Sequence, residues 1–283
     1  MNRFIDQPFP TNVGRWEVKK TQDAKLFAWS YGAIAFFLFH APLAVVLYRF
    51  NMLSTLHALV VFGVGIWLAL SSRQHPVRVA YVGAYIMGAE VLWRMSDAAI
   101  PWEFGKYGIT AIFFLSMMVR RPEKLPAVAL VFFALLLPSI LVSLSFIYDF
   151  NLLREALSAY LSGPLTLTVS ACFFANIKLT KQQMLKLFSA LICPVFSIAA
   201  ISIVATATAS ELQFSGNSNL VTSGGFGPNQ VSAALGLGAM LCFLLIVYGS
   251  NGVRWKIMMS GFLVIFASAS AMTFSRGGLY GAV

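Results

Sequence analysis

One length recurs through this amino-acid sequence. Apolar runs of roughly 20 residues, separated by short polar turns, follow one another from residue 26 almost to the end. They cover 26 to 48, 52 to 71, 77 to 97, 106 to 119, 125 to 145, 163 to 179, 185 to 208, 229 to 248 and 256 to 274. A run of that length crosses a hydrocarbon core of about 30 Å as an α-helix. Inside lipid, backbone N–H and C=O groups must be paired within the protein, and a single helix achieves this alone. The expected fold is therefore all-α: a polytopic transmembrane helix bundle of nine spans plus the start of a tenth at 279–283. Only 11% of residues are charged, against about 25% in ordinary soluble domains, which excludes a soluble globular chain. Residues 1–25 read as a polar, basic segment and 26–283 as the membrane domain. Five residues of a tenth span cannot cross a bilayer, so the membrane domain is expected to be incomplete at its carboxyl end.

Charge placement sets the expected orientation. With the amino end cytoplasmic, fifteen of the twenty Lys and Arg residues fall on the cytoplasmic side: in 1–25, at Arg73 and Arg78, around Arg120, Arg121 and Lys124, at Lys178, Lys181 and Lys186, and at Arg254 and Lys256. This asymmetry follows the positive-inside rule. The formal charge of +10 thus reports topology and contact with anionic lipid, and no nucleic-acid partner is expected. The first 25 residues hold no apolar core followed by a small-residue cleavage site, so no removable signal is expected.

Arg49, Arg94, Lys106, Arg154 and Arg276 are the five cations that topology leaves over, all on the opposite side. Insertion disfavours cations there, which points to anionic partners. In "GAEVLWRMSDAAIPWEFGKYG" a helix would bring Glu90, Arg94 and Asp97 to one side, so an internally neutralised cluster competes with an anion site. Lys106 follows Glu103 by three and offers a similar pair. Arg154 stands beside Glu155, but adjacent helical residues point apart; 147 to 161 reads as a short amphipathic helix at the interface. Arg49 sits at a span end, where snorkelling accounts for it. Arg276 has no acidic residue in the fifty before it, the nearest upstream being Glu211. Its two following glycines permit a tight turn into the next helix, so Ser275, Arg276 and Gly277 could seat a phosphate at a helix amino end.

A second segment has the same character. In "SELQFSGNSNLVTSGGFGPNQVSAALGLG", Gly224, Gly225 and Gly227 make a turn, Pro228 suits the first helical position, and Asn229 and Gln230 open the eighth span with side-chain amides able to donate. Cys172, Cys193 and Cys242 lie singly in apolar runs and read as small buried residues. His40 and His57 read as satisfied core histidines, and His75 lies in a turn. The sequence carries no nucleotide-binding loop and no metal-ligand cluster, so no cofactor or metal is expected.

"GGFGPNQVSAALGLGAM", followed about thirty residues later by "MTFSRGGLYGAV", resembles the O-antigen ligase and polymerase superfamily of bacterial inner-membrane glycosyltransferases. The resemblance implies transfer of a glycan from an undecaprenyl pyrophosphate carrier to a glycan, lipid or protein acceptor at the periplasmic face, without a metal. It implies pyrophosphate contact by Arg276, with Arg94, Arg154 and Lys106 as further candidates, and a cavity shaped by Asn229, Gly277 and Glu90. The family's large periplasmic loop, with its basic and histidine residues, has no counterpart in these residues, so no catalytic base is assigned. A transporter or flippase for a polysaccharide precursor or anion is the alternative; a noncatalytic membrane anchor is a third reading.

Overall fold

A computed structural model describes residues 31–71, 75–210, 218–249 and 252–275. The described residues form ten helices and no strand: α1 (Tyr31–Arg49), α2 (Asn51–Ser71), α3 (Pro76–Met95), α4 (Phe104–Arg120), α5 (Ala127–Leu136), α6 (Pro138–Phe146), α7 (Phe150–Phe174), α8 (Lys181–Thr208), α9 (Pro228–Tyr248) and α10 (Val253–Met272). The all-α expectation holds for these residues. Six segments are long and apolar enough to cross a membrane: α2, the joined α5 and α6 (Ala127–Phe146), α7, α8, α9 and α10. They mark the chain as a multi-pass membrane protein. The other three expected runs also form helices, each short of that criterion for a visible reason. The apolar part of α1 is Ile34–Arg49, α3 carries Arg78, Glu90 and Arg94 within 20 residues, and α4 has 17 residues.

Local chemistry starts and stops these helices. Pro76 and Pro228 occupy first-turn positions of α3 and α9, where the missing N–H would have had no helical partner. The Asp149 carboxylate accepts from the backbone N–H of Asn151 and Leu152 to open α7. Thr180 and Gln183 form a reciprocal capping box at α8. One expectation is corrected at α7. The separate interfacial helix read at 147 to 161 and the span read from 163 are one continuous helix of 25 residues, and Pro164 lies inside it. In lipid the uninterrupted helix keeps the other backbone groups paired, so Gly163 and Pro164 do not end it.

Packing builds two apolar cores that share α3. One gathers Phe37, Leu92, Ile192, Ile198, Leu235, Met259 and Phe266 from α1, α3, α8, α9 and α10. The other gathers Ala58, Ile86, Trp93, Ile112, Phe113 and Phe173 from α2, α3, α4 and α7, with the Phe113 and Phe173 rings stacked at a centroid distance of 4.1 Å. Gly88 sets the approach of α3 to α8: a Cβ there would collide with the Leu191 carbonyl oxygen and lie 2.8 Å from the Pro194 ring. Cys172, Cys193 and Cys242 are buried and unbridged, as expected of small core residues. The joined α5 and α6 differ from the rest, since no residue of either is buried; they pack on α7.

At one end of the bundle the carboxyl ends of α1, α3, α8 and α10 meet the amino ends of α2, α4, α7 and α9. The Tyr48 hydroxyl donates to the Gly224 carbonyl at 3.3 Å, the hydroxyls of Ser54 and Ser96 share a bond of 2.6 Å, and Tyr107 meets Ser158 at 2.9 Å. Arg49, Arg94, Lys106 and Arg154 belong to this end; Arg276 lies outside the described residues.

Candidate functional site

Residues 218 to 227 form a turn that is tied to the carboxyl end of α10. The Asn219 side-chain oxygen accepts from the backbone N–H of Val221 and Thr222 at 2.9 and 3.2 Å. Its own backbone N–H donates to the Thr273 carbonyl at 2.8 Å. The Thr222 hydroxyl donates to the Met272 carbonyl at 2.6 Å. Gly224 and Gly225 take φ of 70° and 78°, a left-handed conformation in which a side chain would be strained. The turn then enters α9 through Pro228.

At that entry the two segments singled out in the sequence meet. The Ser275 hydroxyl donates to the Asn229 side-chain oxygen at 2.6 Å. One turn further along α9, Ser232 bonds Ser270 at 3.0 Å and donates to the Ser275 carbonyl at 3.3 Å. The residue pair Asn229 and Ser275 thus joins "GGFGPNQ" to "MTFS". Arg276 and Gly277, which follow directly, lie outside the described residues.

Arg94 reaches the same helix end from α3. One guanidinium nitrogen donates to the Gln230 side-chain oxygen at 2.9 Å. Another pairs with Glu90 one helical turn back and donates to the Trp102 carbonyl at 2.7 Å. The guanidinium carbon lies 4.6 Å from the centroid of the Trp102 ring, a cation–π geometry. Glu103 stands 3.7 Å from Arg94 and 2.5 Å from the Lys106 ammonium. Two carboxylates and two cations therefore form one cluster, largely sequestered: the Arg94 side chain is 11% exposed and that of Glu103 8%. The Lys106 pair is as the spacing suggested. Asp97 corrects the reading of that stretch: α3 ends at Met95, Asp97 has φ of 48°, and Glu103, returning from the following loop, takes the place on Arg94 that Asp97 was expected to fill.

These contacts orient the amides at the start of α9. Asn229 and Gln230 each receive a hydrogen bond on the side-chain oxygen, from Ser275 and from Arg94. Because a guanidinium only donates, the Arg94 contact fixes which way the Gln230 amide is turned, and Asn229 presents its oxygen to Ser275. Their NH₂ groups make no hydrogen bond to a described residue and are left to donate. Gln230 also lines a crevice of about 500 Å³ among α3, α4, α8 and α9, together with Glu90, Arg94, Glu103 and Lys106. Chemically, the α9 entry offers oriented N–H donors beside a neutralised ion cluster, which suits a polar or anionic oxygen.

Arg154 stands apart. It is exposed on α7, forms no ion pair with a described residue, and lines a groove of about 940 Å³ with Trp102, Glu103, Tyr107, Phe133 and Phe150. The structure thus brings Glu90, Arg94, Lys106 and Asn229 toward the α9 entry, and places Arg154 in the neighbouring groove. Sequence reasoning missed Trp102, whose carbonyl and ring both serve Arg94. The signal was an aromatic residue eight positions after a cation across a Pro-containing turn. No protein-family model, curated protein or solved structure matches this chain.

Proposed function

We propose that this chain is the membrane portion of a glycan ligase or polymerase that takes a saccharide from an undecaprenyl pyrophosphate carrier and passes it to an acceptor at the periplasmic face of the bacterial inner membrane. The amino end is cytoplasmic in this reading, and the α9 entry, which follows seven crossings, then faces the periplasm. One observation carries it: the Asn229–Ser275 bond unites the two segments on which the family resemblance rests, at a helix amino end equipped with amide donors. Arg276 is the pyrophosphate ligand in this proposal, adjacent in sequence to Ser275. Arg94 and Lys106 act less as free anion ligands than as part of the neutral cluster that turns Gln230, because Glu90 and Glu103 already engage them. Arg154 remains available to a diphosphate headgroup approaching along the α7 groove.

The test is glycan transfer from a purified undecaprenyl pyrophosphate-linked donor by the full protein in lipid vesicles. Arg276→Ala should abolish transfer, and Asn229→Ala should lower it at least tenfold, with insertion and folding unchanged. Full transfer by the well-folded Arg276→Ala variant would refute the assignment. A transporter or flippase is the competing reading, and the observation favouring it is the charged crevice of about 500 Å³ inside the bundle. Donor-lipid or anion movement across vesicles without glycan transfer would select it.

A further inference from the structure

Away from the α9 entry, a chain of hydrogen bonds runs through the interior of the bundle and links three helices. The Trp93 indole N–H of α3 donates to His57 Nδ1 of α2 at 2.9 Å. His57 Nε2 meets the Tyr85 hydroxyl of α3 at 3.1 Å. The same hydroxyl meets His40 Nε2 of α1 at 3.0 Å, and His40 Nδ1 meets the Phe36 carbonyl at 2.8 Å. Ser197 of α8 donates to the His40 carbonyl at 2.8 Å. Neither imidazole is ion-paired with a described residue.

Donor and acceptor chemistry places every proton in this chain. An indole nitrogen only donates, so His57 Nδ1 carries a lone pair, and a neutral ring then has its proton on Nε2. That proton is directed at the Tyr85 oxygen. At the other end a carbonyl only accepts, so His40 Nδ1 carries the proton. The Tyr85 hydroxyl has one hydrogen and already receives from His57. Its hydrogen has one remaining partner among the described residues, His40 Nε2, which must therefore be a bare acceptor. A second proton on His40 would turn two N–H groups toward one oxygen and leave the Tyr85 hydrogen without an acceptor, at the cost attached to an unsatisfied buried donor.

We infer that Trp93, His57, Tyr85 and His40 form a one-way, non-conducting polar clamp that ties α1 and α2 to α3, with the two histidines held neutral in opposite tautomers. The direction runs from Trp93 to the Phe36 carbonyl. Neither terminus can pass a proton onward: an indole N–H is not a usable acid, and a helix carbonyl is not a usable base. The clamp is thus a fastening between helices, distinct from the relays of ionisable side chains that carry protons through membrane pumps. It also holds the rotation of α3 about its axis, because Tyr85 and Trp93 of that helix both bond His57. This inference does not depend on the proposed glycan chemistry.

Nitrogen NMR on histidine tests it directly. His75 is the only other histidine; it is exposed and makes no side-chain cap at α3, so His75→Gln leaves the two clamp rings alone in the spectrum. With ¹⁵N-histidine in the full chain at neutral pH, long-range proton–nitrogen correlations should show two neutral rings, one protonated at Nδ1 and one at Nε2. Two rings of the same tautomer, or any doubly protonated ring, would overturn the clamp. In a folded Tyr85→Phe variant both rings should change signal together, because both bond the one hydroxyl; a change in only one would remove Tyr85 from the centre. If that variant does not fold, the tautomer pair of the His75→Gln protein still decides the matter. In vesicles under a pH gradient, His40→Gln and His57→Gln should leave proton entry as it is, and a fall in entry with either would show a relay instead.

Discussion

The hydroxyl of Ser275 donates to the side-chain oxygen of Asn229 across 46 residues of chain, at 2.6 Å. This single bond ties the side chain of Asn229, at the start of α9, to the chain just past α10. Its strength is open to measurement. A neutral hydrogen bond contributes about 1 kcal/mol net, and Ser275 is buried while Asn229 is exposed. In reversible unfolding from mixed micelles, Asn229→Ala, Ser275→Ala and the double variant should give a coupling energy of about 1 kcal/mol. Additivity within about 0.3 kcal/mol would mean that the two residues do not act on one another.

Arg94 answers two carboxylates in a setting with little water. Arg94→Ala should lower stability by about 3 kcal/mol or more, because Glu90 and Glu103 then face each other with Lys106 as the one cation left in the cluster among the described residues. The pair Glu90→Gln with Arg94→Gln removes one charge of each sign and should recover most of that loss. A double variant as unstable as Arg94→Ala would show that the arginine stabilises the bundle by something other than its charge.

Two glycines in neighbouring helices make opposite predictions. Gly88→Ala drives a methyl group into the Leu191 carbonyl oxygen of α8 and should destabilise by about 1–3 kcal/mol. Gly63 in α2 has no atom within 4 Å of a built Cβ, so Gly63→Ala should be neutral or stabilise by up to about 1 kcal/mol. Thermal unfolding of both in one detergent gives the comparison, and equal effects would contradict the close α3–α8 crossing.

Sidedness can be read with thiol chemistry. In a chain whose three native cysteines are replaced, Ser218→Cys beside the α9 turn should react in intact spheroplasts with a reagent that does not cross membranes. Gln182→Cys at the start of α8 should react only after permeabilisation. Both positions are exposed, so reversed labelling would overturn the proposed orientation.

The apolar runs were legible because lipid enforces a length, and a length is visible in one dimension. Glu90 with Arg94 and Glu103 with Lys106 were legible because helical neighbours three and four apart touch. The contact of Arg94 with Gln230, 136 residues away, was not, since it depends on how α3 and α9 are rotated against each other. The histidine chain escaped for the same reason: His40, His57, Tyr85 and Trp93 share no spacing, and a buried histidine in an apolar run shows its need for a partner without showing the partner. The break read between 161 and 163 failed in the other direction. Local turn chemistry there yields to the requirement that α7 keep its backbone paired.

The joined α5 and α6 bury no residue of their own and rest on α7 alone. Their tilt is therefore set by that one packing contact, where the other helices are held from several sides. Phe133 on α5 forms one wall of the groove that Arg154 overlooks. The groove beside Arg154 is therefore walled on one side by a helix pair held to the bundle through a single neighbour, so the α7 contact is what keeps that wall in place.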